Sequence, residues 1–267
     1  MRTTNRTARP RTVLTAFAGL CCLALLVGSL AADPNKDTAK QDGQANNAAN
    51  EEGQLVLFNG KDLTGWTMKH EEGGKAWSAV GDVKLDAGDP GKLTGEGAGE
   101  EGKGAMLRGP FDHGSDIYTE QTFGDCELHV EFMVPKGSNS GVYLQGQYEV
   151  QVLDSHGKTE ALGQGDVGAI YSAAPPSTNA TKAPGEWQEF HIVFQAPRFD
   201  ANGVKTQNAK FISVDLNGTR IQENVEVQGP TGGQLDGGEK PEGPLMFQGD
   251  HGIVAYRNVR WKPIDAK

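Results

Sequence analysis

The sequence is short of cysteine, of cationic side chains and of helical periodicity, and each shortage removes a class of explanation. Its 267 residues include three cysteines. Two are adjacent, Cys21 and Cys22, and the third is the distant Cys126. That pattern gives neither a disulfide framework nor a paired Cys-x-x-Cys metal site. The chain must be held by its own apolar core, which is feasible at this length. His-Glu-x-x-His, Gly-x-Ser-x-Gly and phosphate-cradling glycine loops are all missing. Zinc-protease, serine-triad and nucleotide mechanisms therefore have no motif to rest on, and no nucleotide cofactor is expected. Lys and Arg number 25 against 35 Asp and Glu, a net charge of -10. Such a balance disfavours nucleic acid and anionic membrane surfaces as partners and leaves neutral sugars open. No segment keeps a helical period for more than two turns.

What is present begins with an export pattern. Arg2, Arg6, Arg9 and Arg11 form a basic start, residues 13–30 are almost uninterruptedly apolar, and Ser29-Leu30-Ala31 offers small residues where a signal peptidase cuts. The layout predicts a secretory signal over residues 1–31 and an exported protein, periplasmic or extracellular, with no stable membrane association once the signal is gone. The competing reading is an uncleaved anchor, since the apolar run is near the lower limit for spanning a bilayer. Cleavage would take four arginines and both neighbouring cysteines, leaving a charge of about -14 and Cys126 alone. Residues 32–53 have no aromatic side chain and almost no aliphatic one beyond Ala. They cannot bury enough apolar surface to offset their ordering entropy, so a flexible linker is expected. The folded domain is expected over residues 54–267.

Glycine is abundant, with 37 residues, and falls between short β-like runs. Strands are predicted at 55–58, 77–80, 126–134, 141–145, 148–153, 186–195, 210–216, 219–221 and 253–261. Asn217-Gly218 between two of them is a hairpin signal. Many short strands with turn signals read as an all-β sandwich or jelly roll. Residues 86–104, 197–208 and 228–243 read as long loops. Asp200-Ala201-Asn202-Gly203 in the second lacks the remaining ligands of a calcium loop and reads as a tight turn. Cys126, opening an alternating strand, reads as a packed side chain rather than a reactive thiol.

The densest chemistry lies between Cys126 and Asp154. At period two, Leu128, Val130, Phe132, Val142, Leu144, Tyr148, Val150 and Val152 point to the core. Glu127, His129, Glu131, Tyr143, Gln145, Glu149 and Gln151 point the other way. If these strands neighbour one another, one face gathers carboxylates, amides and an aromatic ring. Such a face suits sugar hydroxyls and a stacked C–H face. Two nearby carboxylates would also split into an acid and a base. The competing reading is a plain solvated sheet face. A second cluster, Gln248, Asp250 and His251, shares one late loop.

The ordered phrases LFNGKDLTGW (57–66), FGDCELHVEFMVPKGSNSGVYLQGQYEVQVLDS (123–155), GAIYSAAPP (168–176), KAPGEWQEFHIVF (182–194) and GPLMFQGDHGIVAYRNVRWKPI (243–264) carry a resemblance. They resemble the 3-keto-disaccharide hydrolase family, also described as a 3-keto-glucoside 1,2-lyase and 3-keto-2-hydroxy-glucal hydratase domain. The resemblance implies a concanavalin/laminin-G-like jelly-roll β-sandwich. It also implies cleavage of glycosides oxidised to a ketone at C3, by elimination and rehydration or by hydrolysis, with a divalent metal ion as a further expectation. Its matching positions are Asn139, Tyr143, Glu149, Gln151, Asp154, Trp187, Gln248 and His251. Strand facing then suggests Glu149 as base, His251 as acid or metal ligand, and Glu131 as a further catalytic carboxylate. Asn139, Tyr143, Gln145, Gln151, Asp154, Trp187 and Gln248 are expected to bind substrate. Two departures stand out: Gln145 where many members have Arg, and Gly249 inserted in a late loop that usually reads Gln-Asp-His. The alternative function is a non-catalytic carbohydrate-binding module; a surface or matrix protein is a third.

Overall fold

The structure, a computed structural model, describes residues 53–70, 76–109 and 114–265. The expected signal segment and nearly all of the expected linker lie outside the described residues. Among the described residues the regular structure is sixteen strands, and no helix is long and apolar enough to cross a membrane. In chain order the first eight are β1 (Leu55–Val56), β2 (Trp66–Met68), β3 (Trp77–Leu85), β4 (Leu93–Ala98), β5 (Ala105–Arg108), β6 (Ile117–Phe123), β7 (Cys126–Met133) and β8 (Asn139–Leu144). The others are β9 (Tyr148–Leu153), β10 (Gln188–Gln195), β11 (Arg198–Phe199), β12 (Lys205–Gln207), β13 (Ala209–Leu216), β14 (Thr219–Val227), β15 (Gly243–Phe247) and β16 (Val254–Pro263).

A long sheet runs β14-β13-β10-β7-β16-β5-β3-β4, with β1 added on β16, and a shorter one runs β2-β6-β15-β8-β9. The architecture is the expected all-β sandwich. Alternation decides which side chains enter the core. On β7, Leu128, Val130 and Phe132 are fully buried while Glu127, His129 and Glu131 are half-buried. On β10, Phe190, Ile192 and Phe194 do the same. The short sheet supplies Val142, Leu144, Tyr148, Val150, Val152 and Phe247 to the same core. Rings lock the sheets across the middle: Phe247 of β15 stacks on Tyr256 of β16 at 3.9 Å, and Tyr148 of β9 meets Phe194 of β10 at 5.6 Å. Each such fully buried side chain stabilises the fold by roughly 1.5–3 kcal/mol through area removed from water.

Local signals held where the chemistry of the turn is decisive. Asn217 and Gly218 both take positive φ, 51° and 78°, and join β13 to β14 as a two-residue hairpin. Asp200 caps its turn by accepting the backbone N–H groups of Asn202 and Val204, as a tight turn requires. Cys126 is buried, and burial pushes its thiol up to about 12, so it is a packed side chain. Two loop expectations need correction. Residues 86–104 contain β4, and residues 197–208 contain the β11–β12 hairpin. Glycine-bearing segments such as Leu93–Ala98, with Thr94 as the single β-branched residue, do not advertise a strand, and pairing with β3 supplies what propensity does not.

The larger correction concerns the single polar face. Strand β7 pairs with β10 and β16 in the long sheet, whereas β8 pairs with β9 and β15 in the short one. The chain changes sheet between Met133 and Asn139. Glu127, His129 and Glu131 therefore face outward on one side of the sandwich, and Tyr143, Glu149 and Gln151 face outward on the other.

Candidate active-site cleft

Strands β8 and β9 place Tyr143 opposite Glu149 and Gly141 opposite Gln151. By alternation these side chains should be solvated, yet Tyr143, Glu149 and Gln151 are only 1–3% exposed. Two coverings account for it. Residues 168–174 run along the free edge of β9: Gly168 N–H donates to Gln151 O, Gln151 N–H to Ala169 O, and Tyr171 N–H to Glu149 O. Residues 231–235 fold over the β8–β9 turn, with Thr231 N–H donating to Gln147 O and Leu235 N–H to Gly146 O. Lys69 ties this second segment down, donating to Gly233 O at 3.2 Å and pairing with Asp116 at 3.2 Å.

Between these coverings lies a cleft of about 230 Å³ lined by Asn139, Tyr143, Glu149, Gln151, Tyr171, Gly232, Gly233, Gln248 and His251. Six residues expected from sequence meet here: Asn139, Tyr143, Glu149, Gln151, Gln248 and His251. Glu149 is its chemical centre. Burial lifts its carboxyl from the ordinary 4.5 to about 7, and the nearby Asp116 and Asp250 add to the rise. The Tyr143 hydroxyl, donating to Glu149 Oε2 at 2.8 Å, and the charge of His251 oppose it. With Oε2 held, Oε1 is the oxygen left to accept a proton. That carboxylate lies across Gly141: a Cβ there would stand 2.2 Å from Glu149 Oε1, so only glycine leaves room. Burial also drives the Tyr143 hydroxyl far above its usual range, keeping it a donor.

Amides ring the carboxylate. Gln151 Nε2 donates to Asn139 Oδ1 at 2.6 Å and to Ser140 O at 3.0 Å. Gln248 is held through its backbone, its N–H donating to Gly141 O and its carbonyl accepting from Ser140 Oγ. Its side-chain Oε1 is buried without a hydrogen-bond partner. An orphaned polar atom in a cleft is costly unless a ligand meets it. The inserted Gly249 is anchored, donating to Asp116 Oδ1 and accepting from Arg108 Nε at 2.7 Å, and His251 still reaches the cleft. Asp250 hydrogen-bonds His251 Nδ1, which orients the ring and turns Nε2 outward as the reactive nitrogen.

Four expected site residues lie elsewhere. Glu131 sits on the long sheet, paired with Arg257 Nε at 2.7 Å and Asn258 Nδ2 at 2.5 Å. Trp187 joins that group, with the Arg257 guanidinium 4.0 Å above its ring. Glu131 was assigned by strand facing and Trp187 by the family resemblance; both lie with Arg257 of the long sheet, apart from Glu149. Gln145 turns away at the end of β8, donating to Phe123 O and Pro241 O, so the departure from Arg falls outside the cleft. Asp154 accepts from Gly137 and His156 N–H and holds the β7–β8 crossing. Sequence reasoning missed Tyr171, Thr231 and the paired glycines 232–233; Tyr171 lay in plain view within the GAIYSAAPP phrase. Among the described residues, three donors close enough to share a metal ion are Glu127, His129 and His191, on the long sheet rather than in the cleft.

Comparison with known proteins gives a consistent result. A profile of a family described as the 3-keto-alpha-glucoside-1,2-lyase-like domain matches residues 53–262. A 3-keto-disaccharide hydrolase of Bacteroides thetaiotaomicron is 25% identical over 251 residues, covering 80% of this chain and 79% of the relative. A crystal structure from Parabacteroides distasonis, of a protein provisionally named a glycosyl hydrolase, shares 29% identity at a TM-score of 0.56, over 79% of this chain and 84% of that one. A second structure from that organism, provisionally named in the same way, shares the fold at a TM-score of 0.50 and 22% identity, over 82% and 99% of the two chains.

Proposed function

The chain belongs to the 3-keto-alpha-glucoside-1,2-lyase-like family, and from that premise we propose that it is a carbohydrate-active enzyme that cleaves 3-keto-glycosides outside the cytoplasm. The observation that carries this reading is Glu149: a buried carboxylate poised at about 7 on the floor of a cleft lined with amides. A general base is most effective when its pKa lies near the working pH.

A ketone at C3 acidifies the proton on C2. Glu149 Oε1 takes that proton while Tyr143 holds Oε2. The electron pair moves into an enolate and then forms the C1–C2 double bond as the C1–oxygen bond breaks. His251 Nε2 gives a proton to the departing aglycone. Water then adds across the double bond: its oxygen bonds to C1 as it returns a proton to His251 Nε2, and Glu149 gives its proton back to C2, giving the free 3-keto sugar. The amides of Gln248 and Asn139 bind sugar hydroxyls and the C3 oxygen. Tyr171, 38% exposed at the rim, offers a ring face to the sugar C–H surface. The resemblance also implied a divalent cation. Among the described residues the histidine and carboxylate groups of the cleft do not converge as a donor set of three, and the steps above use protein groups alone.

The test is turnover of a 3-keto-glycoside carrying deuterium at C2. Release of a 3-keto sugar, slowed by the deuterium, is the expected result. Release with no isotope effect would replace elimination by direct hydrolysis. No turnover, with saturable binding of ordinary oligosaccharides, would make the protein a carbohydrate-binding module.

A further inference from the structure

The outer face of the long sheet carries a cluster that the cleft chemistry does not use. His129 of β7 and His191 of β10 stand directly opposite each other, with ring centroids 4.3 Å apart and planes 19° from parallel. Glu127, two residues before His129 and so on the same face, sets Oε1 2.7 Å from His191 Nε2 and 3.8 Å from His129 Nε2. The other ring nitrogens also face carboxylates. His129 Nδ1 is 3.2 Å from Glu189 Oε1, and His191 Nδ1 is 3.6 Å from Asp215 Oδ2. Carboxylates accept, so His191 Nε2–H donates to Glu127 Oε1 and His129 Nδ1–H to Glu189 Oε1, which leaves His129 Nε2 as a lone pair. A nitrogen from each ring and a carboxylate oxygen converge within 4.8 Å of one another, with a single proton, that between His191 and Glu127, among them. Such a point calls for a cation.

Four-coordinate zinc, with bonds of about 2.0–2.1 Å, sets its ligand atoms about 3.3 Å apart. The observed 2.7 and 3.8 Å straddle that spacing, so small side-chain rotations close the site. Imidazole nitrogen suits the zinc class, whereas calcium and magnesium require oxygen cages. Both strands are interior to the long sheet, which fixes the three Cβ positions in advance. Arg260 and Lys262 of β16 stand beside His129 and Glu127 in register, and Arg220 pairs with Asp215, so these three cations balance Glu127, Glu189 and Asp215 on this face and the case for the site rests on its ligand geometry. The geometry points to a divalent transition-metal site of the zinc class at Glu127, His129 and His191, with solvent in the fourth position and Glu189 and Asp215 as outer partners that orient the rings. The ligands are 23–30% exposed, so the ion enters from solvent. It joins β7 to β10 and is separate from the sugar cleft.

The experiment titrates the full chain with zinc chloride by calorimetry, with thermal melts and cobalt(II) absorption alongside. One ion per chain, a raised Tm and the strong visible bands of four-coordinate cobalt are expected. His129→Ala/His191→Ala abolishes all three while retaining turnover, and Glu127→Gln reports the same loss should the double variant not fold. Glu189→Gln and Asp215→Asn each weaken zinc about ten- to hundredfold, as outer partners do. His251→Ala keeps zinc binding. The site is refuted if the wild-type chain takes up no zinc, which would make the cluster a hydrogen-bonded network alone. It is equally refuted if uptake survives the double histidine variant or is lost in His251→Ala, which would place the ion in the cleft.

Discussion

The two outer faces of the sandwich are written in the same residues by the same alternation, and they differ in what lies over them. On the long sheet Glu131 is open to water and neutralised by Arg257. On the short sheet Glu149 is covered by residues 168–174 and 231–235, and its hydrogen-bond partner is a neutral hydroxyl, Tyr143. An ion pair open to solvent is worth at most about 1 kcal/mol. Burial raises the pKa of a carboxylate, and at Glu149 burial, with Asp116 and Asp250 nearby, outweighs the Tyr143 hydrogen bond and the charge of His251. Residue type thus supplies the carboxyl in both places, and its surroundings set Glu149 apart.

Exchanging the carboxylates for amides breaks the comparison most sharply. Glu149→Gln should lower turnover of a 3-keto-glycoside about 10²- to 10⁴-fold, the usual range for a lost general base, and steady-state kinetics reads it directly. Glu131→Gln should leave turnover within about twofold, as expected of a surface pair; equal losses in the two variants would show that the long-sheet face takes part in catalysis. The next effect is on stability. The native state holds the Glu149 proton up to about 7, the unfolded chain only to about 4.5. The carboxyl therefore favours the fold fully below about pH 4.5, and that contribution is lost as pH rises towards 7. Its loss amounts to roughly 3 kcal/mol by linkage. Glu149→Gln should accordingly melt higher than wild type at about pH 8 and show no such advantage at about pH 4. An advantage independent of pH would mean that burial does not set the protonation of Glu149. The smallest effect sharpens the assignment of Tyr143. Its hydrogen bond favours ionised Glu149, so Tyr143→Phe should move the acidic limb of the kcat/KM profile to higher pH; a limb that stays in place would detach Tyr143 from the base.

Much of this was legible locally. The core residues of β7, β9 and β10 follow from period two, and Asn217-Gly218 dictates its own turn. The pairing of Tyr143 with Glu149 could be read because a short turn fixes the register of β8 against β9. Glu131 was grouped with Glu149 because alternation tells a side chain which face to take but not which sheet its strand joins. That choice depends on contacts far along the chain, such as Glu131 with Arg257. The burial of Glu149 was illegible for a related reason: its covers come from segments with little strand or helix character, whose backbone bonds are made to β9 and the β8–β9 turn.

The run of residues along β9 has a consequence beyond the cleft. An uncovered edge strand is a template on which another chain can add, and β9 is apolar enough to invite it. Because residues 168–171 occupy its hydrogen-bonding positions, the segment that shuts water away from Glu149 also closes this edge to strand addition by another chain. A proteolytic nick in that segment would cost solubility and activity together.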